Sequence, residues 1–244
     1  MKRIPLYFLL ILTTQTRAQE KQSLYVFDAN WNPTKMDSAH FLLRVHQVND
    51  SCWQWDYYNI IGPLLKTEQF RDKNGNELDG ISHYYNGKGW LDSTASFRKG
   101  RKNGDFYKLR SDTFTIALKY KYLDDSLVEV IDTRKPKKDS AVVYKDEKES
   151  EYPGGVGQWI RYLNKNIKYP ERAVNNNIEG EVRVSFIVDK EGKVQDSYIA
   201  RSVEYTLDDE SLRMVRGSGK WVPAFQNGKV VKSYKVQPIV FSLK

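Results

Sequence analysis

Three histidines, a single cysteine and a run of acids are the residues of this 244-residue chain whose types could do chemistry. His40 and His46 stand six apart, which no helix face favours; on a strand they would share a face, too far apart to share an ion. His83 stands alone, and none of the three lies in an HExxH or GxSxG arrangement. All three are read as surface or sheet residues. Cys52 has no second cysteine with which to form an internal disulfide, and no Cys/His spacing around it suggests zinc. It is read as a small buried hydrophobe. Asp208, Asp209 and Glu210 could be drawn as a metal cluster, but acids in the first turn of a helix are already explained by its dipole. The chain is therefore expected to be no enzyme, with no catalytic residue, metal or cofactor.

Charge and targeting narrow the class further. The formal charge is +8, but Lys2, Arg3 and Arg17 belong to an N-terminal segment whose loss lowers it by three, to +5. Acids and bases are otherwise interleaved, with no basic face of the kind that nucleic acid requires, so nucleic acid is excluded as a partner. Lys2 and Arg3 precede an apolar run from Ile4 to Leu12, followed by small or polar residues as far as Ala18. Nine apolar residues fall well short of the roughly 20 that span a bilayer as a helix, so residues 1–18 read as a cleaved signal peptide. The mature protein is expected to begin near Gln19, in the periplasm or outer envelope and at most peripheral to the membrane.

Beyond the signal, two regions of different grammar flank a charged stretch. Residues 19–132 are aromatic-rich, with short strand-like pieces and frequent turn signals. Within them Leu65–Tyr85 and Leu91–Leu109 can be laid on one another: each opens with a strand-like piece ending in Phe-Arg, then a glycine-containing turn, a second glycine (Gly80, Gly104) and another aromatic strand. Asn74-Gly75 and Asn103-Gly104 accept positive φ cheaply, as tight hairpin turns require. Tandem hairpins of this kind must join into one antiparallel sheet. The spacing resembles the MORN-like repeats of bacterial exported proteins. Residues 133–151, TRKPKKDSAVVYKDEKESE, read as a linker in which charges of both signs dominate.

Residues 152–244 mix two periodicities, which predicts an α+β unit. After the Pro153-Gly154-Gly155 turn, Val156, Trp159, Ile160, Leu163 and Ile167 form a helical apolar stripe that ends before Tyr169-Pro170. A short helix, PERAVNNN, follows. From Glu181 the period becomes two, with Val182, Val184, Phe186 and Val188 on one face. Lys190 to Lys193 make a turn, and Val194 to Arg201 return as a hairpin partner. Thr206 is placed to cap a helix over Leu207–Arg216, with Asp209 in the capping-box position and Leu207, Leu212 and Val215 inward. Trp221 and Pro223 open a last extended segment that passes Asn227-Gly228 and ends as Ser233 to Leu243.

This ordered set of residues resembles the C-terminal domain of the TonB family. The resemblance implies a small unit with a three-stranded antiparallel sheet and helices. Members of that family couple an inner-membrane motor to outer-membrane transporters by pairing a short transporter segment with a sheet edge. Two features depart from the pattern: the N-terminal segment looks cleavable rather than anchoring, and the spacer is short, with one proline, Pro136. The function expected is thus an envelope binding module that recognises an extended peptide, of a TonB-dependent outer-membrane transporter or another envelope partner, by strand pairing. The alternative is a scaffolding role in which the β-repeat region contacts cell-wall or surface material. The expected partner edge is the last strand, helped by Tyr169, Pro170 and Arg172. Along it Tyr234, Val236, Pro238 and Val240 alternate with Lys235, Gln237, Ile239 and Phe241, starting from Ser233, and apolar residues lie on both faces. Pro238 points to an edge position. A homodimer that covers this edge stays open.

Overall fold

A computed structural model describes residues 22–110, 115–133 and 147–243. Residues 1–18, read above as a signal peptide, and residues 134–146 of the charged stretch lie outside the described residues. The chain divides into two compact units, one up to Pro136 and one from Lys137.

The N-terminal unit is a meander in which each strand pairs antiparallel with the next. Its strands are β1 (Gln22–Phe27), β2 (Phe41–Asn49), β3 (Cys52–Asn59), β4 (Leu64–Phe70), β5 (Gly80–Tyr85), β6 (Leu91–Arg98), β7 (Arg101–Leu109), β8 (Ile116–Leu123) and β9 (Ser126–Asp132), forming one nine-stranded sheet in sequence order. The hairpin pattern seen over 65–109 thus extends in both directions. Phe27, Leu43, Val45, Trp55, Tyr57 and Phe70 form a buried cluster on one face of its first four strands. Trp31, in the loop after β1, joins them by stacking on Phe41 at 4.2 Å, although its φ of 64° is unfavourable for a bulky side chain.

The turn chemistry differs from expectation at both Asn-Gly pairs. Asn103-Gly104 lies inside β7, and the tight turn between β6 and β7 is made by Lys99-Gly100, with φ of 51° and 77°. Pairing of Gly104 with Tyr122 across the sheet holds the dipeptide in the strand. Asn74-Gly75 sits in a longer loop organised by Asp72, whose carboxylate accepts the N–H groups of Asn74 and Asn76. The two second glycines do share a role. Gly80 and Gly104 have positive φ, and a Cβ on them would lie 2.3 Å from Gln69 Oε1 and 3.3 Å from Ser96 Cβ, so each gives room to a side chain of the preceding strand.

The C-terminal unit contains α1 (Gly155–Asn166), α2 (Glu171–Asn175), β10 (Gly180–Val188), β11 (Val194–Arg201), α3 (Tyr205–Arg216), β12 (Ala224–Gln226), β13 (Lys229–Val231) and β14 (Ser233–Phe241). Its main sheet is three-stranded and antiparallel, in the order β11-β10-β14. The alternation of β10 is realised in full: Val182, Val184, Phe186 and Val188 are completely buried, each contributing on the order of 1.5–3 kcal/mol by leaving water. Asn227-Gly228, both at positive φ, turn the small β12/β13 hairpin. No helix among the described residues is long and apolar enough to cross a membrane.

Three local readings need correction. Helix α3 begins at Tyr205 rather than Leu207, because the buried Glu204 is its cap: the carboxylate accepts the Thr206 N–H at 2.8 Å and the Thr206 hydroxyl at 2.6 Å. Asp209 therefore has no capping-box role, while Asp208 accepts from Ser202 Oγ and Val203 N. The stripe of α1 is only partly used, since Trp159 is buried but Val156 and Ile160 are exposed. Finally, the packed unit reaches back into the charged stretch. Lys148 and Glu151 bridge to Phe225 and Val222, and Ser150 between them is buried.

Candidate functional site

The last strand, β14, lies at one edge of the three-stranded sheet and pairs along its whole length with β10, Ser233 opposite Val188 and Phe241 opposite Gly180. No strand pairs with its other side among the described residues. Pro238 has no N–H to give β10, yet the register runs through it unbroken. That is the arrangement in which the proline nitrogen faces away from the neighbouring strand. By the alternation of an antiparallel ladder, the N–H groups of Tyr234, Val236 and Val240 then face away as well.

The two faces of β14 differ sharply. Ile239 and Phe241 are buried, Phe241 against the Tyr169 ring, whereas Tyr234, Val236 and Val240 are 67%, 40% and 65% exposed on the other face. That outer face continues onto β10 and β11 through Ile187, which is opposite Tyr234, and through Glu181, which accepts from Arg183 at 2.6 Å and Arg201 at 3.2 Å. The apolar residues that the alternation puts on both faces of β14 are thus covered on one face only.

The inner side chains at the start of β14 meet the segment before α1. Ser233 Oγ donates to Ser150 Oγ at 2.7 Å, and Lys235 Nζ donates to Glu149 Oε2 at 3.1 Å. Beside them is a cavity of about 120 Å³ whose lining includes Tyr152, Val156, Trp159, Trp221, Lys235 and Gln237. Its floor is an aromatic cluster: Trp159 and Trp221 ring centres are 5.4 Å apart, Trp221 and Phe186 5.0 Å. Cavities that bind whole small molecules run from roughly 300 to 1,000 Å³, so this one has room for a single side chain. The main chain of Trp221 is fixed by the β10–β11 turn, where its N–H donates to the Gly192 carbonyl at 2.8 Å. A Cβ on Gly192 would lie 2.1 Å from the Trp221 carbonyl oxygen.

The helical members of the expected site have structural partners. The Tyr169 hydroxyl donates to the Ile178 carbonyl at 2.6 Å, and its ring meets Phe241 edge-on at 5.6 Å. Burial, and then the charge of Glu179, raise its pKa, which keeps that donor protonated. Pro170 is the N-cap of α2. Arg172 donates to the buried Glu204 carboxylate at 2.8 Å, with its guanidinium over the Tyr205 ring. The structure therefore separates the expected residues: Tyr234 and Val236 are presented outward, Ser233, Lys235 and Gln237 line the inner side, and Tyr169, Arg172, Ile239 and Phe241 hold the unit together. Sequence reasoning missed the cavity, because Trp159 and Trp221 are far apart in the chain and each reads alone as an ordinary core aromatic.

The histidines and cysteine are dispersed. His46 is buried beside Asp56 at 3.4 Å, and His83 Nδ1 is 3.1 Å from Thr67 Oγ1, where burial lowers its pKa to about 4. Burial, followed by the charge of Asp79, raises the thiol pKa of Cys52, which disfavours the reactive thiolate. Among the described residues no group of three His, Cys, Asp or Glu is placed to hold a metal ion.

Residues 165–243 match the family described as the Gram-negative bacterial TonB protein C-terminal. Protein TonB of Pseudomonas putida is 36% identical over 88 residues, covering 34% of this chain and 35% of that protein, so the chain spans about a third of its relative's length. Two solution structures of the Helicobacter pylori TonB C-terminal domain are 25% and 24% identical, cover 38% and 36% of this chain and 89% and 94% of their own, and superpose with a TM-score of 0.30 each. Residues 165–243, within the C-terminal unit, are thus similar to the TonB C-terminal domain.

Proposed function

We propose that this is an exported, non-enzymatic protein of the cell envelope whose C-terminal unit takes up an extended segment of an outer-membrane transporter, or of another envelope protein, as a fourth strand along β14. The observation that carries this reading is the free edge of β14, continuous with an exposed row of Tyr234, Val236 and Val240. Main-chain hydrogen bonds along such an edge give affinity, and alternate side chains of the guest set preference. Every second guest residue would lie over the outer apolar row. The intervening ones would point towards the side of the Trp159/Trp221 cavity, which has room for one apolar side chain. Similarity to TonB over this unit supports a transporter segment as the guest. The aromatic meander before it is read as a MORN-like repeat sheet that presents the binding unit.

The test is titration of the full chain with synthetic N-terminal segments of outer-membrane transporters from the same source. Val236→Pro deletes one outward N–H and leaves the ladder to β10 intact, so a folded variant is expected to bind at least tenfold more weakly, or about 1.4 kcal/mol. Unchanged affinity in the folded variant would place recognition elsewhere.

A further inference from the structure

The chain holds four Asn-Gly dipeptides: Asn74-Gly75, Asn86-Gly87, Asn103-Gly104 and Asn227-Gly228. An asparagine before glycine can lose its amide without any enzyme. The glycine nitrogen gives up its proton, attacks the asparagine Cγ and expels ammonia. Water then opens the five-membered imide, either to aspartate or, with the chain rerouted through Cβ, to isoaspartate. Glycine has no side chain to obstruct the ring. The reaction requires a carboxamide free to turn and a glycine N–H not engaged elsewhere.

The fold meets these requirements unequally. Asn103 donates from Nδ2 to Asp124 at 2.9 Å, and Gly104 is held in the β7–β8 ladder opposite Tyr122. The Asn86 carboxamide oxygen accepts the N–H groups of Lys88 at 2.9 Å and Trp90 at 3.1 Å. Gly75 donates to the Asp72 carbonyl at 3.3 Å and lies against Trp55, whose ring would be 2.8 Å from an added Cβ. By contrast Asn227 and Gly228 are both exposed, and nothing lies within 4 Å of where a Gly228 Cβ would stand. Among the described residues, neither the Asn227 carboxamide nor the Gly228 N–H makes a hydrogen bond. Ring closure needs rotation about the Asn227 Cα–C bond, so the turn must open first. It joins strands of three residues each, and so short a hairpin opens at little cost. The positive charge of the neighbouring Lys229 favours loss of the Gly228 proton.

We propose that Asn227 is a site of spontaneous deamidation, to which the fold directs the reaction in preference to the other three pairs. Isoaspartate adds a methylene to the main chain of a two-residue turn, which then no longer closes the β12/β13 hairpin. That hairpin holds the segment before α1: Lys148 N–H donates to the Phe225 carbonyl at 2.9 Å, and Phe225 N–H to the Lys148 carbonyl at 2.8 Å. Gln226 Nε2 also donates to Glu147 at 2.6 Å. Ser150 and Glu151, further along the same segment, line the Trp159/Trp221 cavity. Loss of the turn therefore loosens one wall of the cavity as the protein ages. Neither step requires a guest strand at β14.

The test is incubation of the full chain in mildly alkaline buffer, with each Asn-Gly pair followed over time by peptide mapping and mass spectrometry. Asn227 is expected to convert at least tenfold faster than Asn74, Asn86 or Asn103, a barrier difference of about 1.4 kcal/mol. The rate should rise with pH, and in concentrated urea the four pairs should converge, since only the fold separates them. Equal rates in the folded chain, a faster reaction at any of the other three, or the same ranking in urea would overturn the assignment. The consequence is read by amide hydrogen exchange. In the isoaspartate form Lys148 and Phe225 should lose protection, whereas Asn227→Asp, which adds the charge without lengthening the chain, should keep it. Full protection in the isoaspartate form would overturn the link to the cavity wall.

Discussion

In the N-terminal unit every strand pairs only with its neighbours in sequence, whereas in the C-terminal unit the chain leaves β10, passes through β11, α3 and a small hairpin, and returns to pair Gly180 with Phe241. A meander can always accept another strand at its end, and among the described residues this one stops on β9, where Leu127, Val128 and Val130 are exposed. The crossover in the C-terminal unit buries one face of its last strand and leaves the other beside an edge interrupted by Pro238. The same antiparallel ladder thus ends in two different ways: β9 shifts register against its neighbour at Val128, and β14 keeps an unbroken register interrupted only in its donors, by Pro238. Stability is also held differently, by stacked aromatics and local loops in the first unit and by long-range contacts to Trp221 in the second.

The largest effect that would break this contrast is expected at Gly192. Its φ is 80°, and a Cβ there collides with the Trp221 carbonyl. Gly192→Ala should destabilise the C-terminal unit by about 3 kcal/mol or more, by steric displacement and positive-φ strain together. Thermal unfolding followed by tryptophan fluorescence and by NMR should show the loss in the C-terminal unit while the meander melts as before.

A smaller effect distinguishes a structural from a binding role for Arg172. Removing it leaves the buried Glu204 carboxylate without its cationic partner, though Thr206 still donates to it. Arg172→Ala should cost about 1–3 kcal/mol in chemical denaturation. The affinity of the folded fraction for a bound segment should stay the same, and a loss of affinity at unchanged stability would return Arg172 to the binding surface.

The smallest effect concerns the meander alone. His83 has a folded pKa near 4 against an ordinary value of 6.5, so between these values the unfolded chain binds more protons. Its contribution is complete above about pH 6.5 and is lost as the pH falls towards 4. With some solvent access to the ring, the loss is of order 1–2 kcal/mol. Denaturation midpoints of wild type and His83→Asn should converge as the pH is lowered through this window.

What was legible in the sequence follows from the range over which each feature is determined. The period-two pattern of Val182, Val184, Phe186 and Val188 is local, and all four are buried as read. The position of β14 at an edge was signalled by Pro238, because the missing N–H is a constraint that the residue carries with it. Turn placement was less legible: Asn103-Gly104 has the better turn chemistry, but the register with β8 draws it into a strand and leaves the turn to Lys99-Gly100. The cap of α3 was misread because Thr206 is a common cap and the buried Glu204 outcompetes it. Ser150 was hidden among charges, and the cavity between Trp159 and Trp221 exists only after the fold has closed.

The most direct test of strand addition at β14 is amide hydrogen exchange, residue by residue, with and without a saturating transporter segment. The outward N–H groups of Tyr234, Val236 and Val240 are predicted to gain protection on binding, while those of Lys235, Gln237 and Ile239, already facing β10, are predicted to change little. A bound segment that leaves Tyr234, Val236 and Val240 exchanging as in the free protein would contradict the account.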